Sequence, residues 1–186
     1  MTKKMILFNG PRHSGKDTAA DYVWSEYLNT MRFKLSGPIK AAIAAMFELT
    51  PTQIHYLEAI KTEPTDLLFG RSYVDTQIHF SEMWAKEFFG VRVFGNLAAR
   101  KVSQSASSLF VCSDSGFDYE TLPLLKHIGT SNTLLLKLRR TGKSFDGDSR
   151  NYIDLPGVTT IWLDNDGSVV DFHNNIKTVI DAWLDL

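Results

Sequence analysis

The fold of this chain is decided by the stretch Gly10-Pro11-Arg12-His13-Ser14-Gly15-Lys16-Asp17-Thr18. It separates a short apolar run, residues 5–9, from apolar residues that recur at helical spacing. The distance from Gly10 to Gly15-Lys16 matches the first part of the phosphate-binding pattern GxxxxGK(S/T). In that pattern the glycines let the backbone curl so that several N–H groups point at one phosphate, and the helix N-terminus adds a positive partial charge. The stretch therefore predicts a phosphate-binding loop between a buried strand and a helix.

The same loop predicts which residues hold a nucleotide. Lys16 supplies a full positive charge for the β- and γ-phosphates and is predicted to be catalytic. The ATP-binding residues predicted from the loop are Gly10, Arg12, His13, Ser14, Gly15, Lys16, Asp17 and Thr18. An ordinary glycine-rich turn is the alternative, but the strand before the loop and the helix after it favour nucleotide binding.

Two carboxylates are candidate ligands for Mg²⁺. Where the pattern has Ser or Thr, this chain has Asp17, and Thr18 follows one position later. A carboxylate is a suitable ligand for Mg²⁺, and the alternative is that Asp17 only places its charge at the helix N-terminus. Asp114 ends an apolar run in the form of a Walker B element, whose acid holds Mg²⁺ or its water. The alternative for Asp114 is an ordinary turn residue.

Residues 139–157 form a long polar segment, rich in Gly and Asp, between two apolar runs. Loops of this length in a compact domain are usually functional or disordered. The segment contains the cations Arg139, Arg140, Lys143 and Arg150, and phosphoryl transfer needs cations around the moving phosphoryl group. We predict a lid with Arg139 and Arg140 as catalytic residues, because they directly follow a strand and are anchored by it. A solvated surface loop is the alternative.

The rest of the chain alternates apolar runs with amphipathic segments, which predicts an α/β fold of the P-loop NTPase type. We expect a five-stranded parallel sheet with helices on both faces and a small lid. The predicted strands are residues 5–9, 31–35, 107–112, 133–138 and 159–163. Helices are predicted after Lys16, from Ser36, from Thr50, and over residues 72–89, 121–128 and 168–184. A single domain over residues 1–186 is expected, with a helical acceptor-binding region at 36–106 and the lid at 139–157.

Polar residues after the second predicted strand are candidates for binding a phosphorylated acceptor. Lys34 and Lys40 flank Ser36 at the carboxyl end of that strand. Ligands of open α/β sheets bind at this end. Lys34, Ser36 and Lys40 are therefore predicted to lie near the acceptor.

The predicted helix over residues 72–89 adds further acceptor candidates. Its apolar residues Phe80, Met83, Trp84 and Phe88 fall on one face, and Glu82 lies nearby. For Trp84 the spacing favours a core position, and a platform for stacking a base is the alternative. Glu82 is either an acceptor ligand or part of a surface ion pair on the helix.

The composition excludes several classes of protein. The chain has 186 residues, 44% of them hydrophobic, which is enough for one sizeable core. A formal net charge of −1 gives no global basic field, so polymeric nucleic acid is not an expected partner. No apolar stretch could span a bilayer, and the lone Cys112 predicts a buried thiol in a reducing compartment. We expect a soluble cytoplasmic protein without membrane contact, and a homodimer remains possible.

The residues of the loop and its surroundings resemble the bacteriophage deoxynucleoside monophosphate kinases, whose loop ends in SGKDT. Residues 33–40 are similar to their segment after the second strand, and residues 78–90 resemble the helix that closes over the monophosphate. The resemblance implies ATP-dependent transfer of the γ-phosphoryl group to a deoxynucleoside monophosphate, giving dNDP and ADP, with Mg²⁺ as cofactor. It also implies a host-cytoplasmic location and a role for Asn165, before the last helix, at the ATP site.

The chain departs from that family's pattern at two arginines. Gly116 stands where the family has the arginine of a D-x-R-F element. A Pro-Arg pair expected before residue 78 reads Tyr73-Val74, with Arg71 slightly upstream as the acceptor-binding candidate. Phosphomevalonate kinase and dephospho-coenzyme A kinase have similar loops, so another small phosphorylated acceptor is an alternative substrate. A P-loop NTP-binding protein without kinase activity is the other alternative.

Overall fold

The structure is a computed structural model that describes residues 2–185, so Met1 and Leu186 of the expected domain lie outside the described residues. The chain separates into two compact units. The larger unit contains the described residues up to Leu35 and from Gly95 onward, and the smaller unit is Ser36–Phe94. The smaller unit falls within the region 36–106 that the sequence marks as helical. Its role in acceptor binding and the lid at 139–157 stay predictions.

The elements are numbered here in chain order. The strands are β1 (Lys4–Asn9), β2 (Thr30–Phe33), β3 (Pro64–Thr65), β4 (Arg71–Ser72), β5 (Leu109–Cys112), β6 (Thr133–Arg139) and β7 (Thr159–Asp164). The helices are α1 (Lys16–Glu26), α2 (Gly37–Met46), α3 (Pro51–Ala59), α4 (Tyr73–His79), α5 (Glu87–Phe89), α6 (Val93–Gln104), α7 (Asp118–Ile128) and α8 (Val169–Leu184). A π-helical segment, Phe80–Lys86, joins α4 to α5, and short 3₁₀ turns occupy Asp66–Leu68 and Thr130–Asn132.

A parallel sheet of five strands, in the order β2-β5-β1-β6-β7, forms the centre of the larger unit. The three inner strands are rich in apolar residues and are buried along most of their length. This is what a parallel sheet covered on both faces requires. Because side chains alternate along a strand, Ile6 and Phe8 point to one face, where they pack with Val23 of α1 and Ile176 of α8. The predicted α/β fold with five parallel strands is confirmed.

The smaller unit consists of helices around its own apolar cluster. Buried Ile43, Leu57, Leu68 and Tyr73 pack together in this cluster. The predicted helix start at Thr50 is confirmed, since the Thr50 side chain and that of Gln53 form a capping box at the start of α3. The two short strands β3 and β4 pair antiparallel. They escaped prediction because each is only two residues long.

The predicted helix over residues 72–89 is helical, and its middle, Phe80–Lys86, is π-helical. The apolar residues assigned to one of its faces are largely exposed. Met83 is 66% exposed, Trp84 48% and Phe88 74%, so the favoured core position for Trp84 is wrong.

Helix α6, which has no counterpart among the predicted elements, approaches α7 closely. A Cβ atom at Gly95 would collide with the backbone carbonyl oxygen of Glu120 and come within 3.2 Å of Cδ of Pro123. Only glycine lets the two helices meet at this distance. Within the described part of the chain, no helix is long and apolar enough to cross a membrane.

We predict that Gly95→Ala destabilises the protein, although helix propensity alone would favour alanine by about 1 kcal/mol. The added methyl group has to push α6 away from a backbone atom, so we expect the free energy of unfolding to fall by at least about 2 kcal/mol. Urea unfolding monitored by circular dichroism measures the change. Asn96→Ala, an exposed position on the same helix, is the control. Equal stability of Gly95→Ala and the wild type would contradict the proposed close contact.

Candidate nucleotide-binding site

The predicted phosphate-binding loop lies between β1 and α1, and its two glycines are required by close contacts. A Cβ atom at Gly10 would lie 2.7 Å from the carbonyl oxygen of Leu138 and equally close to Oγ of Ser14. Gly15 has a φ of +99°, which side-chain-bearing residues rarely adopt, and a Cβ there would collide with the Asn165 amide. The curl of the loop is therefore fixed by its neighbours as well as by its own residues.

Lys16 folds back into the loop. Its ammonium group donates hydrogen bonds to the carbonyl oxygens of Gly10 at 2.7 Å and Pro11 at 2.5 Å. Burial and the nearby positive charge of Arg150 lower the pKa of Lys16 to about 8, against the opposing effect of Asp17 and two other carboxylates. The loop thus holds a cation that lacks part of its hydration, which favours binding of a polyanion.

Asp17 joins the start of α1 to the ends of two strands. Its Oδ1 accepts hydrogen bonds from Ser113 Oγ at 2.8 Å and from Lys34 Nζ at 2.7 Å, and Arg32 lies 3.2 Å away. Burial acts to raise the pKa of Asp17, but the hydrogen bonds from Lys34 and Ser113 outweigh it and lower the pKa to about 2. Asp17 is therefore ionised near neutral pH. Lys34, predicted to contact the acceptor, contacts this carboxylate.

Asp114 lies just beyond β5, beside Ser113, which contacts Asp17. One carboxylate oxygen accepts the backbone N–H of Leu35 at 2.7 Å. Among residues 2–185 no cluster of three or more His, Cys, Asp or Glu side chains could hold a metal ion. Mg²⁺ that arrives with a nucleotide takes most of its ligands from phosphates and water and needs only one or two protein carboxylates. The two acids fit that limited role.

The two arginines predicted to be catalytic have different environments. Arg139 makes a two-point contact with Asp164, at 2.7 Å and 3.1 Å, and its guanidinium lies over the ring of Trp162. Arg140 instead approaches the loop, with Nη1 placed 3.4 Å from the carbonyl oxygen of His13. The structure therefore brings Arg140, and not Arg139, to the candidate site.

Sequence reasoning missed a charged cluster that links residues 139–157, the predicted lid segment, to the loop. Asp148 lies between Arg12 of the loop, 3.2 Å away, and Arg150, which holds it through Nε at 2.9 Å and Nη2 at 2.5 Å. The Arg150 hydrogen bonds lower the pKa of Asp148 to about 2 although burial opposes them. The sequence shows several Asp and Arg residues in this segment, but no local pattern indicates which of them form ion pairs.

Two asparagines fix the backbone around the site. Asn165 donates to the carbonyl oxygen of Ser14 at 2.9 Å, so this predicted ATP-binding residue supports the loop. Asn9, at the end of β1, donates to the carbonyl oxygens of Ser115 and Asn151 and accepts the N–H of Ile153. Asn9 escaped prediction because its partners are far away in sequence. Its side chain anchors the end of the lid segment to the sheet.

The remaining loop residue with a predicted role, Thr18, is exposed on the first turn of α1. The acceptor candidates of the smaller unit lie on several of its elements. Ser36 is the N-cap residue of α2, and Lys40 on the same helix forms an ion pair with Glu58. Arg71 lies exposed on β4.

Glu82 and Trp84 lie on the π-helical segment. Glu82 accepts a hydrogen bond from the buried Lys86 at 2.8 Å, which is the helix ion pair that the sequence offered as an alternative. The Trp84 ring makes edge contacts with Phe80 and Phe89. Its exposed side leaves it accessible to a ligand.

Comparison with known proteins supports the resemblance seen in the sequence. The family described as deoxynucleotide monophosphate kinase matches residues 4–71, which include β1, the loop and α1. A segment of 41 residues is 46% identical to the deoxynucleotide monophosphate kinase of Enterobacteria phage T4. This part of the chain resembles the phage deoxynucleotide monophosphate kinases. The matched segment is 22% of this chain and 17% of the phage protein, so the chain covers less than two thirds of that relative.

Solved structures of kinases show a weak overall likeness. Thymidylate kinase from Candida albicans is 11% identical, with 97% of this chain and 92% of that chain covered at a TM-score of 0.45. A sugar kinase from Janibacter is 15% identical, with 98% and 95% covered at a TM-score of 0.48. Scores at this level do not identify a function, and the fold assignment rests on the observed sheet.

We predict that ATP affinity falls as the pH rises above about 8. Neighbouring phosphates favour the charged form of Lys16 and raise its pKa, so above pH 8 the free protein has to take up a proton on binding. The affinity should then fall by up to about tenfold per pH unit. Isothermal titration calorimetry between pH 7.5 and pH 9.5 measures it.

Lys16→Arg is the matched control, because arginine stays protonated throughout this range. Its ATP affinity should be nearly independent of pH, whatever its absolute value. The same slope in both proteins would show that another group titrates.

Proposed function

We propose that this protein transfers the γ-phosphoryl group of ATP to a deoxynucleoside monophosphate, giving dNDP and ADP. The observation that carries the proposal is that the loop with Lys16 lies inside the segment matched by the deoxynucleotide monophosphate kinase family. The cations gathered around that loop, Arg12, Arg140 and Arg150, support it. A phosphotransferase with a phosphate acceptor needs this surplus of positive charge at the transferring group.

Catalysis in this proposal depends on position and charge, without a covalent intermediate. Lys16 contacts the β- and γ-phosphates, and loop N–H groups hold the remaining phosphate oxygens. Arg140 approaches from the lid segment and stabilises the charge that develops during transfer. Asp17 and Asp114 would hold Mg²⁺, which when bound neutralises phosphate charge.

The acceptor side of the proposal rests on the residues singled out from the sequence. These are Lys34, Ser36, Lys40, Arg71, Glu82 and Trp84. Lys34 of the larger unit and Lys40 of the smaller unit each pair with a carboxylate, and in this proposal each would exchange that partner for a phosphate group. We further propose a cytoplasmic location, where ATP and nucleoside monophosphates are available, and a phage origin in keeping with the T4 relative.

A coupled assay of ADP release tests the proposal. ATP is supplied with each deoxynucleoside monophosphate in turn, and with phosphomevalonate and dephospho-coenzyme A in parallel. We expect turnover that depends on at least one deoxynucleoside monophosphate and is abolished in Lys16→Ala with little change in melting temperature. ADP release without an acceptor would indicate an NTP hydrolase, and no release would indicate a binding protein. Either result would contradict the proposal.

We predict that Arg140→Ala and Arg139→Ala have different effects. Arg140→Ala removes a cation at the loop, so kcat should fall by roughly a hundredfold, corresponding to about 3 kcal/mol, with a smaller change in KM for ATP. The Arg139 side chain lies against Asp164 and Trp162 and not against the loop, so kcat of Arg139→Ala should stay within about threefold of the wild type. Steady-state kinetics on both variants measure this. A larger loss in Arg139→Ala than in Arg140→Ala would reverse the assignment.

A further inference from the structure

The side chain of Arg150 lies directly against the backbone of Gly116. A Cβ atom at residue 116 would be 2.5 Å from Cδ of Arg150 and 2.8 Å from Cγ. Real Cβ atoms essentially never come so close to other atoms, so any other residue at 116 has to displace the arginine side chain. Gly116 is itself buried. The absence of a side chain there creates the space in which the Arg150 stem lies.

The guanidinium end of the same side chain is fixed by Asp148. Both carboxylate oxygens of Asp148 accept hydrogen bonds from Arg150, and the carboxylate also contacts Arg12 of the loop. The Arg150 side chain is only 25% exposed. Because the stem of Arg150 lies in the space left by Gly116, the side chain has lost part of its conformational freedom before any ligand arrives. A cation held in this way loses less entropy on binding.

Arg150 also lies near the loop that holds Lys16. Lys16 donates hydrogen bonds to two carbonyl oxygens of that loop. Asp148, which pairs with Arg150, also contacts Arg12 of the loop. Cations gathered in this way repel one another unless an anion lies near them. In this structure the two carboxylate oxygens of Asp148 accept hydrogen bonds from the guanidinium group of Arg150. A phosphate group presents the same two-oxygen geometry to a guanidinium and carries more charge.

We propose that Arg150 is a phosphate-binding residue of this site, positioned by Gly116, and that it contacts the same phosphates of ATP as Lys16. The inference rests on the proposed function for the identity of the ligand. It adds a second cation from the lid segment, distinct from Arg140, and gives Gly116 a positioning role. Arg150 would exchange the Asp148 carboxylate for a phosphate when ATP binds.

The test measures ATP affinity by calorimetry, which needs no turnover. Arg150→Ala should bind ATP roughly ten- to a hundredfold more weakly, because a charge-assisted contact is lost. Arg150→Lys should have an ATP affinity between those of the wild type and Arg150→Ala, because lysine keeps the positive charge but lacks the planar guanidinium group. Gly116→Ala should resemble Arg150→Ala, because it displaces the arginine. Gly167→Ala is the control, since a Cβ there meets only ordinary contacts at 3.5 Å or more.

The double variant Gly116→Ala/Arg150→Ala separates positioning from a merely structural effect. If Gly116 acts through Arg150, the double variant binds ATP as Arg150→Ala does. An additional loss in the double variant would overturn the role of Gly116. Wild-type affinity in Arg150→Ala would overturn the whole inference. If the wild type binds ATP but shows no acceptor-dependent turnover, the proposed function fails while this test still decides the role of Arg150.

Discussion

The tight curl of the backbone between β1 and α1 is the constraint on which the site depends. Leu138 of β6 and Asn165 after β7 lie so close to the loop that only glycine fits at positions 10 and 15. The pairing of β1 with β6 and of β6 with the edge strand β7 fixes these contacts. Asn165 also holds the loop carbonyl of Ser14. The sheet therefore determines the shape of the phosphate-binding loop as well as its place in the fold.

This shape concentrates positive charge, and carboxylates partly balance it. Lys16 lies in the loop, and Arg12 and Arg150 share the Asp148 carboxylate. Asp17 similarly forms ion pairs with Arg32 and Lys34 near the carboxyl end of β2. Without a ligand, the repulsion between buried like charges raises the free energy of the protein. Binding of phosphates removes this repulsion. Gly116 belongs to this arrangement, because the arginine missing at that position leaves room for Arg150.

The parts of this protein that were predictable are those with a local signal. The loop, its strand and its helix follow from adjacent residues, whereas the metal-binding role of Asp17 and Asp114 stays a prediction. Contacts between distant residues gave no such signal. The pairing of Arg139 with Asp164 could not be predicted from the sequence, and neither could the pairing of Arg150 with Asp148. Trp84 was placed wrongly because helical spacing shows which residues share a face and not whether that face is buried, and Trp84 is 48% exposed.

Direct transfer of labelled phosphate tests the central claim most sharply. The protein is incubated with ATP radiolabelled at its γ-phosphate and with a deoxynucleoside monophosphate, and the products are separated by chromatography. We expect the label to appear in the deoxynucleoside diphosphate in an amount equal to the ADP formed. Label found only in inorganic phosphate would show that the site hydrolyses ATP without using an acceptor. Label that stays in ATP, with each of the deoxynucleoside monophosphates, would contradict the kinase assignment altogether.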